Sequence, residues 1–214
     1  MTAEVKGEPL RLRQRQALET RRAITRAARD LFSDGGYAAT SIEAVAEKAG
    51  VAERTVYSIF GTKKAILGAI CEEWLAEAGV METVVEGLKE RDLGRRLALV
   101  AHSSRRQWES ERGVLAMLDG AAASDVEVAR MLAGWKADRT SSLNALLGGC
   151  ESQLRDDLEP KRAGAIIRAL TGAEVFMELV RAEGWAPDEY ETWLSGLLVD
   201  LLVKQPTTLV ERND

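Results

Sequence analysis

The sequence predicts an all-α protein in which an amino-terminal three-helix head joins a larger helical body, about nine helices in all. Three observations carry this. Ala, Leu, Arg and Glu abound while residues that favour strands are thin, only 5% being aromatic, and that balance favours helix. Apolar residues recur at the three-to-four spacing of a helical face. Ser, Thr, Asp, Pro and Gly stand where helices start and stop. With 214 residues, 46% of them hydrophobic, the chain can bury a sizeable core.

The elements follow in order. Residues 1–14 are polar, contain Gly7 and Pro9, and lead into the alternation Arg11, Arg13, Arg15, which suits a flexible basic arm. Next, Leu18, Ile24, Ala27, Ala28, Leu31 and Phe32 share one helical face until Asp34, Gly35 and Gly36 end the helix. Thr40 stands in capping-box register with Glu43, and Ser41 is an equally good cap for a short helix to about residue 48. Past Gly50 a second short helix covers about 52–59, and Thr62 caps a long one to about 79. Asp92 caps a helix to about 109, another spans about 113–123, and Ser124 with Glu127 opens a long helix to about 153. The last two helices are expected at about 160–183 and 187–204, with Pro160 and Pro187 in first-turn positions. Residues 15–70 then form the head, 71–205 the body and 206–214 a tail.

Charge is distributed unevenly. Residues 1–64 carry 12 Lys and Arg against 8 Asp and Glu, whereas residues 65–214 carry 17 against 26. A basic head on an acidic body suits a phosphate-facing segment more than the net charge of -5 suggests. Cys71 and Cys150 are far apart and in no CxxC spacing, so neither a metal site nor a disulfide framework is expected. A single histidine, His102, and the lack of a glycine-rich phosphate loop or a nucleophile with its base argue against an enzyme, and no cofactor is called for. The first residues lack an apolar signal core and no apolar run reaches membrane-spanning length, so a cytoplasmic location is expected.

Residues 42–59 carry the chemistry. Packing two short helices steeply needs a small residue at the crossing, a turn residue that tolerates positive φ, and apolar residues that lock the second helix. Ala46, Gly50 and the set Val45, Ala49, Val51, Val56 and Ile59 supply these, which leaves Glu53, Arg54, Thr55, Tyr57 and Ser58 pointing outward. The early residues of the second helix in such a motif meet base edges in the major groove. Arg54 can donate twice to guanine, Thr55 can donate or offer a methyl to thymine, and Glu53 can accept from cytosine. Tyr57, Lys63, Thr40 and Ser41 are candidates for phosphate contacts that fix register.

The segment 20–70 strongly resembles the TetR family of one-component transcriptional regulators. The resemblance rests on Ile24, Ala27, Ala28, Leu31 and Phe32, on Gly36-Tyr37, Thr40-Ser41, Ala46 and Ala49-Gly50-Val51, and on Thr55-Val56-Tyr57, Phe60 and Lys63. It implies that the third helix is the recognition helix, that Thr55, Tyr57 and Lys63 lie at DNA-contact positions, and that the chain is a homodimer. Two positions depart from the family pattern: Glu43 replaces a basic residue common there, and Ile59 replaces a polar or aromatic one. The basic arm offers a compensating route into the minor groove.

In the body, Ile166, Leu170, Ala173, Met177 and Val180 form one stripe, while Val175, Phe176 and Leu179 lie on another side. Leu194, Leu197, Leu198, Leu201 and Leu202 line the last helix, extended upstream by Tyr190 and Trp193. Helices apolar on two sides need two neighbours, so a two-fold four-helix interface is expected from Ile166, Leu170, Ala173, Met177, Val180, Trp193, Leu194, Leu197 and Leu201. Large adaptable side chains, Trp74, Trp108, Met117, Trp135, Phe176 and Met177, together with His102 as a polar anchor, are candidates to line a small-molecule site. The expected function is a sequence-specific repressor released from a pseudo-palindromic operator by a small, largely apolar effector. The alternatives are an activator or global regulator on the same fold, or a small-molecule sensor with weakened DNA binding.

Overall fold

The computed structural model describes residues 8–111 and 113–205, with side chains from residue 12 onward. Its helices are α1 (Glu8–Gly35), α2 (Ile42–Ala49), α3 (Glu53–Phe60), α4 (Lys63–Glu77), α5 (Val80–Lys89), α6 (Leu93–Glu109), α7 (Val114–Ser124), α8 (Val126–Ala145), α9 (Pro160–Leu170), α10 (Ala173–Phe176) and α11 (Pro187–Leu202). A 3-10 turn spans Glu151–Gln153, and a π-helical stretch, Met177–Ala182, continues α10. No strand occurs among the described residues, only an isolated bridge between Leu154 and Val203. None of the described helices is long and apolar enough to cross a membrane.

Caps set most of the boundaries. Ser41, rather than Thr40, caps α2, its Oγ accepting from Ala44 N at 3.1 Å. Thr62 Oγ1 accepts from Ala65 N at 3.1 Å, and Asp92 Oδ1 accepts from Arg95 N at 2.8 Å, so α4 and α6 start where their caps predict. Asp125 displaces Ser124 as the cap of α8, accepting from Glu127 N at 2.8 Å. A carboxylate accepts more strongly than a hydroxyl there. Ser124 instead donates back to the Gly120 and Ala121 carbonyls.

Four elements differ from expectation. Helix α1 starts at Glu8, so residues 8–14 are helical rather than a loose arm, while 1–7 and the tail 206–214 lie outside the described residues. Helix α5 was not expected. Gly79, at φ 67°, separates it from α4, and its Met81, Val85 and Leu88 are exposed, which hides the core-facing periodicity. Helix α8 stops at Ala145 because Gly148 and Gly149 follow, the latter at φ 76°. The helix expected over 160–183 breaks at Thr171-Gly172, where Gly172 is extended at φ -70° and ψ 162°.

The chain divides into two units. Among the described residues the first holds 8–74 and 113–133, the second 75–111 and 134–205, so α4 and α8 each begin in one and end in the other. The first unit thus holds α7 and the start of α8 as well as the expected head, residues 15–70. Its core is Ile24, Ala28, Phe32, Val45, Val56, Ile66 and Leu67, joined by Val114, Leu118 and Val128, all buried. In the second unit α6 lies on α11. Leu93, Leu97 and Ala101 of α6 and Tyr190, Leu194, Leu198 and Leu202 of α11 are almost wholly shielded from solvent. The buried Arg96 joins α5 to the segment after α8, donating to the carbonyls of Glu90 at 2.5 Å and of Leu146 and Gly148, each at 2.8 Å.

The steep crossing of α2 and α3 depends on Gly50, whose φ of 68° places it in the left-handed region. Replacing Gly50 with Ala should cost about 1–2 kcal/mol of unfolding free energy. The same change at Gly120, an open position within α7 with ordinary backbone, should be neutral or stabilising by up to about 1 kcal/mol. Urea denaturation of both variants checks the contrast.

Candidate nucleic-acid interface and ligand-binding unit

Helix α2 presents its small and apolar side inward, Val45 and Ala46 being buried, and Gly50 donates to the Glu47 carbonyl at 3.1 Å as the chain reverses. Val51 N bonds the Ala46 carbonyl at 3.0 Å, which locks the turn. Helix α3 is held by the buried Val56, with Thr55, Ile59 and Phe60 half-buried. Glu53, Arg54, Tyr57 and Ser58 are exposed, Tyr57 to 51%. One face of α3 thus anchors it and the other offers donors and acceptors to solvent, as the spacing predicts. Glu43 is exposed on α2 and Ile59 faces partly inward, so these two departures act on different surfaces.

Two expected phosphate contacts are already engaged inside the head. Lys63 Nζ donates to the carbonyls of Tyr37 at 2.6 Å, Ala38 at 3.3 Å and Thr40 at 2.9 Å, using every N–H of the ammonium. It also lies 4.4 Å from the centroid of the Tyr37 ring. Thr40 is buried, its hydroxyl lying 2.9 Å from the Gly36 carbonyl and 3.3 Å from that of Leu31. A phosphate contact from either requires breaking these bonds, so both act first as ties of the α1–α2 joint. Ser41 is exposed but its oxygen caps α2.

Tyr37 extends this knot to α8. Its hydroxyl donates to Asp125 Oδ2 at 3.2 Å, and its ring tilts against Phe32 with centroids 5.2 Å apart. Burial pushes the Tyr37 phenol up to about 12, assisted by the charge and hydrogen bond of Asp125. Burial lowers the Lys63 ammonium, with the Asp125 charge opposing. Lys64 pairs with Glu127 at 3.2 Å, and Met131 Sδ lies 3.8 Å from where a side chain on Gly68 would begin. These links explain why residues 113–133 fall in the first unit. Sequence spacing had no means of pairing positions 88 residues apart.

In the second unit a polar cluster forms where α9 breaks. Thr171 closes α9, its hydroxyl donating to Ile167 at 2.7 Å, and its own carbonyl falls outside both neighbouring helices. That carbonyl accepts from Trp108 Nε1 at 3.0 Å and from the Arg139 guanidinium at 2.8 Å, with Ser104 Oγ 3.4 Å away. Arg139 also reaches Thr171 Oγ1 at 2.8 Å, and Ser104 lies 3.3 Å from the Tyr190 hydroxyl. Burial lowers the Arg139 pKa, Arg168 adds to that, and Glu174 opposes it. Neither Arg139 nor Thr171 was singled out from the sequence.

The other expected ligand residues separate. Trp74 and Met117 are buried in the first unit. Trp108, Trp135, His102, Phe176 and Met177 fall in the second. Phe176 is fully buried with its ring edge on Tyr190, 5.0 Å between centroids, and so serves the core. His102 Nδ1 lies 3.1 Å from Glu191 Oε1, and Glu191 also accepts from Arg105 Nε at 2.9 Å, so an ion network engages the histidine. Met177 and Trp135 are half-buried. Both cysteines are free and buried, as core thiols would be.

The dimer stripe needs one correction. Leu194 is fully buried against its own unit, since Tyr190, Leu194, Leu198 and Leu202, spaced by four, form the inward face of α11. Leu197 and Trp193 are half-buried and Leu201 is 37% exposed, leaving a second apolar side to that helix. Ile166, Leu170, Ala173 and Val180 are also half-buried.

The steeply crossed pair α2 and α3, turned at Gly50 and packed on α1, is a helix-turn-helix. Residues 24–70 match the model of the bacterial regulatory proteins, tetR family. No curated protein matches the sequence. Among solved structures, NalD, the secondary repressor of the MexAB-OprM multidrug efflux pump in Pseudomonas aeruginosa, superposes with a TM-score of 0.69 at 22% identity, covering 90% of this chain and 100% of that one. The SmeT–triclosan complex gives 0.68 at 22% identity, covering 87% and 92%. FadR from Bacillus subtilis in complex with stearoyl-CoA gives 0.63 at 21%, covering 84% and 97%. The chain shares their fold.

Two outcomes check the head. Lys63→Met should lower stability by about 2 kcal/mol through loss of charge-assisted hydrogen bonds. The Tyr37 phenol is raised when folded, so the stability it contributes is fully present below pH 10 and lost as pH rises to about 12. Tyr37→Phe should therefore lose less stability than the parent between pH 10 and 12, measured by denaturant titration at each pH.

Proposed function

We propose that this protein is a TetR-family transcription regulator, a repressor that binds a pseudo-palindromic operator as a homodimer and leaves it when a small, largely apolar effector occupies the second unit. The observation that carries the reading is the exposed polar face of α3, Glu53, Arg54, Tyr57 and Ser58, on a helix anchored by Val56. Arg54 is the principal base reader, with Thr55 and Glu53 beside it. Tyr57 and Ser58 hold phosphates, and the uncapped amino terminus of α3, which has no side-chain cap at Ala52, offers further N–H donors. The similar structures named as repressors and as complexes with triclosan or stearoyl-CoA support a ligand-responsive reading. Because α8 carries Asp125 at its start and lies partly in each unit, a ligand that shifts α8 would act on the Tyr37 link and so on the head.

A second reading, a small-molecule sensor with weakened DNA binding, draws on the acidic Glu43 and on Lys63 being committed to carbonyls. Selection of duplexes from a random pool, followed by anisotropy, separates the two. In the repressor reading Arg54→Ala relaxes preference at one base pair by about 1–3 kcal/mol, while Tyr57→Phe weakens all duplexes alike. Equal effects of both changes on every duplex contradict the assignment, and enrichment of no sequence favours the sensor. Leu197→Glu with Leu201→Glu should give a folded monomer in sedimentation. A folded dimer places the interface elsewhere.

A further inference from the structure

Two arginines in the second unit meet their surroundings differently. Arg96 is buried and engages carbonyls through two of its nitrogens, Nε at Glu90 and Nη1 at Leu146 and Gly148. Arg139 spends a single nitrogen on Thr171, through the carbonyl and the hydroxyl, both at 2.8 Å. Its Nε and remaining amino group have no protein partner among the described residues, and no carboxylate there lies within ion-pair distance. Arg168 adds like charge nearby, while Glu174, the acidic group that opposes it, is exposed and unpaired with Arg139.

A partly desolvated guanidinium with open donors and no ion pair gains from an anion that completes it. The fork left open by the Thr171 contact matches a carboxylate, which it can engage bidentately. The apolar surroundings lie on the same helix. Trp135 and Leu143, four residues before and after Arg139 on α8, fall on one face with it, and both are half-buried. Thr171 fixes the charged end because the helix break frees its carbonyl, and Trp108 holds that carbonyl from a second direction.

We propose that Arg139, positioned by Thr171, binds the carboxylate of an amphiphilic organic acid whose apolar part lies along Trp135 and Leu143. This rests on the ligand-responsive reading and narrows its effector to an anionic class. Matched probes test it on the full chain without DNA: decanoate against decanamide, and 2-naphthoate against 2-naphthamide, followed by tryptophan fluorescence and thermal shift. At least one acid should bind roughly ten-fold tighter than its amide, and Arg139→Gln should reduce that preference below about two-fold. Should the Gln variant not fold, Arg139→Lys, which keeps charge but loses the fork, should cut the preference several-fold. Amides binding as well as acids, neither acid binding, or a preference that survives both substitutions overturns the proposal. DNA affinity is read separately. An acid that binds through Arg139 but leaves DNA binding unchanged upholds the site and contradicts its role as an effector site.

Discussion

Three carbonyls at the joint between α1 and α2 converge on one ammonium, and the head depends on that convergence. The chain leaves α1 at Gly36 with carbonyls that no helix can satisfy, and Lys63, the first residue of α4, collects those of Tyr37, Ala38 and Thr40. The loop so fixed sets where Ser41 caps α2, α2 sets the turn at Gly50, and the turn sets α3. Through Tyr37 the same loop reaches Asp125, which caps α8. A residue that resembles a phosphate anchor from its position alone is thus first a structural tie, and the polar side chains left open to solvent are those of α3.

The second unit uses the same chemistry at other helix ends. Arg96 closes the carbonyls after α5 and α8, and Arg139 with Trp108 closes Thr171 where α9 breaks. Cations at carboxyl-terminal helix ends interact favourably with the local dipole. The difference lies in degree: Arg96 is buried and engages carbonyls through two nitrogens, whereas Arg139 is half-buried and engages Thr171 through one. The π-helical stretch that follows the break, where Glu183 N reaches back to Glu178 at 2.9 Å, marks the same region as irregular, and such segments gather at functional sites.

Much of the head could be read directly. Ala46, Gly50 and Val56 have physical requirements that few other residues satisfy, so their spacing fixed both the crossing and the outward side of α3. Caps with strong local chemistry, Thr62, Asp92 and the two prolines, placed their helices correctly. Long-range pairing was not legible. Asp125 lies far from Tyr37 in sequence, and nothing local in α7 shows that it packs with the head. The break at Thr171-Gly172 was missed because the apolar stripe runs through it without a phase change, and Thr and Gly are individually tolerated inside helices. Leu194 was assigned to an interface since a helix apolar on two sides does not reveal from sequence which side its own core takes.

The central claim is that the exposed face of α3 reads a specific duplex. The salt dependence of fluorescence anisotropy, with labelled DNA taken from upstream of the gene, tests it most directly. The account predicts binding to a particular site at least roughly a thousand-fold tighter than to scrambled DNA, with affinity falling steeply as salt rises. Equal affinity for site and scrambled DNA across the salt series, or no binding at low salt, contradicts it.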